Sequence, residues 1–297
     1  MSKFLMSKLT PATTGSRKRG ITYRAVIALT ASSLFAIAGS ASAQTVPVAV
    51  NVSGNVATVQ VGNPAHPLAD LTITFDDARG LSAASLGVSA KLVDLADPAL
   101  IARLPDPRQT QPDPALPLMI TIEPPHDGGF SFVRTARVEL HTHALVYSVG
   151  SSYRLIKAPL GGSFRDITDE IAPGSVRARG TTGGFSQFLV VTDVRTTGTV
   201  VAEKLGWLRA DVATLPSAEQ PAFASLVDAA DASVASGDYA NAIAALDAIR
   251  ARAAARGGSA IANVWRAGGG ADNQAGKLIA DATTAKFSVA YLRDYGQ

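Results

Sequence analysis

No cysteine occurs in the 297 residues. That absence excludes thiol nucleophiles, thiolate metal sites, thiol redox chemistry and a lipid anchor on a leader cysteine. It also leaves the core alone to hold the fold, with no disulfide to brace it. Aromatic residues are scarce, at 6% of the chain, which argues against a broad sugar-stacking platform. Nucleophile and metalloprotease signatures are missing: no Gly-x-Ser-x-Gly, no His-Glu-x-x-His, no Ser-x-x-Lys with partners. Beyond Gln44 no apolar run is long enough to cross a membrane as a helix.

Excess charge is lacking too, once the N-terminus is set apart. Lys3, Lys8, Arg17, Lys18, Arg19 and Arg24 precede an alanine-rich apolar core from Ala25 to Gly39, and Ala41-Ser42-Ala43 follows. This is the pattern of a cleaved export signal, so residues 1–43 are expected to be a signal peptide and Gln44 the first mature residue. The leader holds six of the 27 basic residues and none of the 24 acidic ones. The mature chain therefore keeps 21 basic residues against 24 acidic, a net charge of −3. Such a balance gives no electrostatic footprint for nucleic acid or for an anionic membrane. The expected location is exported, periplasmic or secreted, with no membrane span after cleavage.

What is present divides the rest in two. From Thr45 to Val194 the apolar residues alternate in short runs, broken about every ten residues by turn chemistry such as Ser53-Gly54-Asn55, Pro124-Pro125, Gly161-Gly162 and Pro173-Gly174. Phe185 to Val194 is apolar on both of its faces and reads as a strand covered on both sides. Asp97 to Pro117 carries six prolines and reads as an extended surface loop. After Gly198 alanine dominates and the spacing turns helical: Val201, Leu205, Leu208 and Val212; then Phe223, Leu226, Val227 and Val234; then Tyr239, Ile243, Leu246 and Ile249. A short segment around Ile261 to Trp265 and a last helix through Leu278 and Phe287 complete that part. The expected class is α+β: an Ig-like antiparallel β-sandwich over 44–197, then a small α-helical bundle over 198–297 that docks on it.

Two stretches carry resemblances. Leu140-His141-Thr142-His143, Tyr153-Arg154-Leu155, Lys157 to Gly162, Phe164-Arg165-Asp166-Ile167-Thr168 and Gly183-Gly184-Phe185-Ser186-Gln187-Phe188 together resemble a domain-of-unknown-function family of exported proteins in Gram-negative bacteria. The Phe-Ser-x-Phe ending is also similar to Ig-like modules of bacterial surface proteins. Ala202-Glu203-Lys204-Leu205, Gly237-Asp238-Tyr239 with Ala242-Ile243 and Leu246, and Ala275-Gly276 with Leu278 resemble FIMAH-type helical modules of secreted proteins. Neither resemblance implies an activity.

Three clusters could carry chemistry. His141 and His143, two apart on a strand, point the same way and offer imidazole to a metal ion; His126, in the preceding turn, could fold back to join them. This is the one cofactor the residues suggest. Arg154, Arg165 and Arg177 fall close together and could line a basic stripe for an anionic glycan or a protein carboxylate. Asp166, Asp169 and Glu170 lack calcium-loop spacing and read as a capped turn. Together these features predict a two-module binding or structural protein of the bacterial envelope, with a protein or glycan partner and no evident catalysis. The alternative is a periplasmic metal-binding protein, or metal-dependent hydrolase, centred on His141 and His143.

Overall fold

The computed structural model describes residues 44–185, 187–269 and 272–296. The leader expected over 1–43 lies outside the described residues. Four strands open the chain: β1 (Thr45–Val46), β2 (Val48–Ser53), β3 (Val56–Asn63) and β4 (His66–Arg79). One-turn helix α1 (Ala83–Leu86) precedes β5 (Val88–Leu92), and α2 (Pro98–Ile101) precedes β6 (Thr110–Pro112) and β7 (Leu118–Ile122). Then come β8 (Ser131–Val146), β9 (Tyr153–Ala158), β10 (Arg165–Asp166), β11 (Thr168–Ala172), β12 (Ser175–Thr182) and β13 (Gln187–Asp193). Helices α3 (Thr197–Ala213), α4 (Gln220–Ala235) and α5 (Tyr239–Arg256), strand β14 (Val264–Arg266) and helix α6 (Gln274–Tyr295) end it.

The strands form two antiparallel sheets, ordered β1-β5-β7-β13-β9-β10 and β11-β12-β8-β4-β3-β2. The chain passes from one to the other through single residues, Pro47 between β1 and β2 and Ile167 between β10 and β11. One core draws on both sheets: Leu118, Ile120, Leu155, Phe188 and Val190 from the first; Val59, Leu71, Ile73, Val138 and Leu140 from the second. With six helices among the described residues, this is an α+β protein.

Strand β13 is buried along almost its whole length, as its two-faced apolar pattern requires. Phe188 and Val190 face the shared core. Leu189 and Val191 face the opposite way, into a second cluster closed by Leu100 and Leu104. The cover comes from the proline-rich segment, which is therefore more than a surface loop. Pro98 sits in the first turn of α2, where a missing N–H costs nothing, and Pro112 ends the short strand β6 paired to β13. Leu86, two positions before Val88 and so in step with the alternation of β5, lies instead in α1. Ser82 and Ser85 form a capping box there, and Gly87 turns the chain with a left-handed φ of 62°.

Helices and sheets interlock at three places. The short segment around Ile261 to Trp265 runs into a strand: β14 pairs antiparallel with the start of β8, Trp265 opposite Phe132. Its indole joins Phe130, Phe132 and Phe185 at centroid distances of 5.7, 5.2 and 5.3 Å. A bulge in β8 puts Arg134 at φ 56°, a strained value for a side-chain-bearing residue. Asn273, the N-cap of α6, donates from Nδ2 to Arg134 O at 2.6 Å and to Gly183 O at 3.0 Å. At the corner where β10 becomes β11, Asp166 Oδ1 accepts from Thr168 N, and its Oδ2 lies 2.8 Å from Lys204 Nζ of α3. Lys204 also donates to Thr284 O of α6, so one buried ion pair ties two helices to the sheet corner. The described residues belong to one compact unit, and no helix among them is long and apolar enough to cross a membrane.

Candidate functional site

The outer face of the second sheet carries the densest polar chemistry. Alternation sends Leu71, Ile73, Val138 and Leu140 inward, so Asp70, Thr72, Glu139, His141 and His143 must point outward. Register then decides who meets whom. Asp70 on β4 lies opposite His141 on β8, which lies opposite Arg177 on β12. One row on, Thr72, Glu139, Arg179 and Glu170 stand side by side on β4, β8, β12 and β11.

The first row holds a three-ligand cluster. His143 Nε2 is 3.0 Å from Asp70 Oδ2, His141 Nδ1 is 4.0 Å from the same oxygen, and the two imidazole centroids are 4.6 Å apart. One ligand atom from each of Asp70, His141 and His143 falls within 4.8 Å of the others. Two neutral imidazoles and a carboxylate at that separation are a donor set for a first-row metal such as zinc or copper, with a side open to water. Partial burial, then the positive charge of Arg177 and the neighbouring His143, hold the His141 imidazole below its usual pKa, which favours the neutral form a metal needs.

The second row is a chain of ion pairs. Glu139 accepts from Arg177 Nη1 at 2.8 Å and from Arg179 Nε at 2.5 Å. Arg179 reaches on to Glu170, and Arg137 bonds both Asp169 and Glu170. Burial raises the Glu139 carboxyl, but the two arginine hydrogen bonds outweigh it and hold the pKa below the ordinary range. Asp169 and Glu170 thus serve this network, whereas Asp166 is drawn into the buried corner.

His126 does not join the pair. It packs against the backbone at Gly268, before the start of β8. Ten residues of strand, about 33 Å, separate the first residue of β8 from His141. The three arginines do not make one stripe either. Arg154 is buried, donates to Ser151 O and Tyr153 O, and lies 4.4 Å from the Tyr291 ring centroid. Arg165 turns to the helices, stacked 4.9 Å over Trp207 and 3.5 Å from Asp281. Arg177 alone stays beside the histidines. Sequence reading missed Asp70; its signal was an acidic residue at an outward position of the alternating run Leu71, Ile73, Phe75, but the partner strand was not legible.

The fold and site define a class: an α+β protein of two stacked antiparallel sheets with a histidine–carboxylate cluster on an open sheet face. The chain matches a family of unknown function, DUF6689, over residues 31–293, and belongs to that family. No curated protein and no solved structure matches it.

Proposed function

We propose that this chain is an exported binding protein of the Gram-negative cell envelope, periplasmic or secreted, with no catalytic role. In this reading the two sheets are an Ig-like sandwich and the helices a FIMAH-like bundle docked on it. The leader pattern supports export, and the absence of nucleophile motifs supports binding over catalysis. The observation that carries the reading is the charged face of the second sheet. Its Arg137, Arg177 and Glu170 side chains are 49, 37 and 43% exposed on the neighbouring strands β8, β12 and β11, a spread of charge suited to a protein or glycan partner. The test is photo-crosslinking in the native host from Thr72 on this face and from Leu160, an exposed residue of the β9–β10 loop. A defined adduct from position 72 alone is expected; equal yields from both positions, or none, would remove the assignment.

A second reading, a periplasmic metal-binding protein or metal-dependent hydrolase, is favoured by the arrival of Asp70 beside His141 and His143. Zinc and copper titrations by calorimetry at pH 7.5 should show one site per chain. His141→Ala, His143→Ala and Asp70→Ala should each weaken it at least tenfold. Affinity should also fall on acidification, as the imidazoles take up protons. Binding that survives all three substitutions places the metal elsewhere.

A further inference from the structure

A cleft of about 410 Å³ lies between the β9–β10 edge, the β12–β13 loop and helices α3 and α6. It is separate from the sheet face above, and its walls are of opposite charge. On the sheet side stand Lys157 and Arg165; on the helix side stand Asp211 of α3 and Asp281 of α6. Asp281 is 8% exposed, and among the described residues no N–H or O–H donates to its Oδ2. Asp211 of α3 faces it across the cleft. Lys157 gives two of its three donors to Thr182 Oγ1 at 2.7 Å and Gly184 O at 2.8 Å, which leaves one N–H. Arg165 Nη1 stands 3.5 Å from Asp281 Oδ2, beyond a direct hydrogen bond. A buried acceptor without a donor thus sits beside donors with spare capacity.

We propose that this cleft binds the head group of an α-amino acid, the carboxylate held by Arg165 and Lys157 and the ammonium by Asp281 and Asp211. The spacing is what selects this class. In an α-amino acid the nitrogen and the carboxylate carbon lie about 2.5 Å apart by bond lengths and the N–Cα–C angle. Its receptor must therefore place an acceptor next to a donor, as Asp281 and Arg165 are placed. An ammonium satisfies the orphan Oδ2; a carboxylate takes the guanidinium edge left by the loose ion pair. The volume beyond the charged walls is lined by Ile167, Phe185 and Trp265 and suits an apolar side chain.

The titration of the walls agrees. Burial, then the negative charge of Asp211, raise the Asp281 carboxyl to about 7, against the pull of Arg165 and Lys157. Burial, then the charges of Arg165 and Lys277, lower the Lys157 ammonium to about 8. Lys204 also faces Asp281 from α3. An incoming ammonium needs the ionised carboxylate, so binding strengthens as pH rises through about 7.

Both tryptophans of the chain report on the place: Trp265 lines the cleft and Trp207 lies beneath Arg165. Tryptophan fluorescence of the protein without its leader, titrated with L-phenylalanine, should show a saturable change. Phenylacetate, lacking the ammonium, and phenethylamine, lacking the carboxylate, should bind at least tenfold more weakly. Asp281→Asn should weaken L-phenylalanine at least tenfold and flatten the pH dependence. Should that variant not fold, the comparison of three ligands on the natural protein decides alone. No saturable change with L-phenylalanine overturns the proposal, as does phenylacetate binding equally well, which would make the cleft a plain anion site.

Discussion

At the scale of single residues, this protein keeps charges where a cysteine-free core would be expected to keep hydrocarbon. Asp166 and Lys204 are both fully buried. Burial alone would raise the Asp166 pKa, but Lys204, Arg154 and Thr168 override it and hold it below the ordinary range, whereas burial lowers Lys204 despite its partner. Both shifts are met by one arrangement: an ion pair at 2.8 Å, with Thr168 donating to Asp166 Oδ1 and Lys204 donating on to Thr284 O. Lys204→Met strands the carboxylate and is expected to cost about 3–5 kcal/mol by chemical denaturation. Adding Asp166→Asn should recover part of that loss, because the stranded charge is then gone; a double variant worse than the single would show the pair is not the cause. Asp281 predicts the reverse behaviour. Its folded pKa, about 7, lies above the unfolded value near ~3.9, so the folded state holds the proton more tightly. Its contribution to stability is whole below the unfolded pKa, declines as pH rises towards about 7, and stays low above it. Asp281→Asn, which mimics the protonated form, should therefore raise the melting temperature more at pH 8 than at pH 5; an equal gain at both would contradict the assignment.

Among the elements, the joint between β8 and α6 leaves no room for a side chain. A Cβ on Gly276 would stand 2.0 Å from Arg134 O. Gly276→Ala must push the helix off the bulge, an overpacking cost of about 3 kcal/mol or more, visible as a lowered urea midpoint. Gly198→Ala, with open space around its Cβ site, serves as the control and should not destabilise. This joint also marks where reading the sequence ran out. Period-two alternation locates β4, β8 and β12, each with one face more buried than the other; a run apolar on both faces locates β13; and the 3.6 spacing locates α3, α4, α5 and α6 by the stripe each buries. Local periodicity is silent on register across the 70 positions between them, so Asp70 went unseen beside His141. It is equally silent on three residues such as Val264–Arg266, too short for either period to show; only the vacancy along β8 gives them a strand's geometry. The prolines of 97–117 misled in the opposite sense. They forbid central strands, yet Pro98 at a helix start and Pro112 in a short strand are places where the missing N–H is not needed.

The whole molecule is held by parts distant in sequence. Helix α6 touches β8, β11 and β12, strand β14 lengthens the second sheet, and Lys204 bolts the helices to the corner. Calorimetry of the protein without its leader should show one cooperative unfolding transition. Residues 44–196 alone should give a broad, low-temperature melt, since the start of β8, the ring cluster and Asp166 would all lose partners. Two well-separated peaks in the full chain would instead show that the sheets and the helices fold independently.

The lateness of β14 has a kinetic side. The second sheet is begun by β2, β3 and β4 and is finished by β14, which follows them far along the chain. Long-range closure of this kind is slow, because the loop entropy must be met before the contacts form. A polypeptide built this way is expected to complete its second sheet only after β14 has been made.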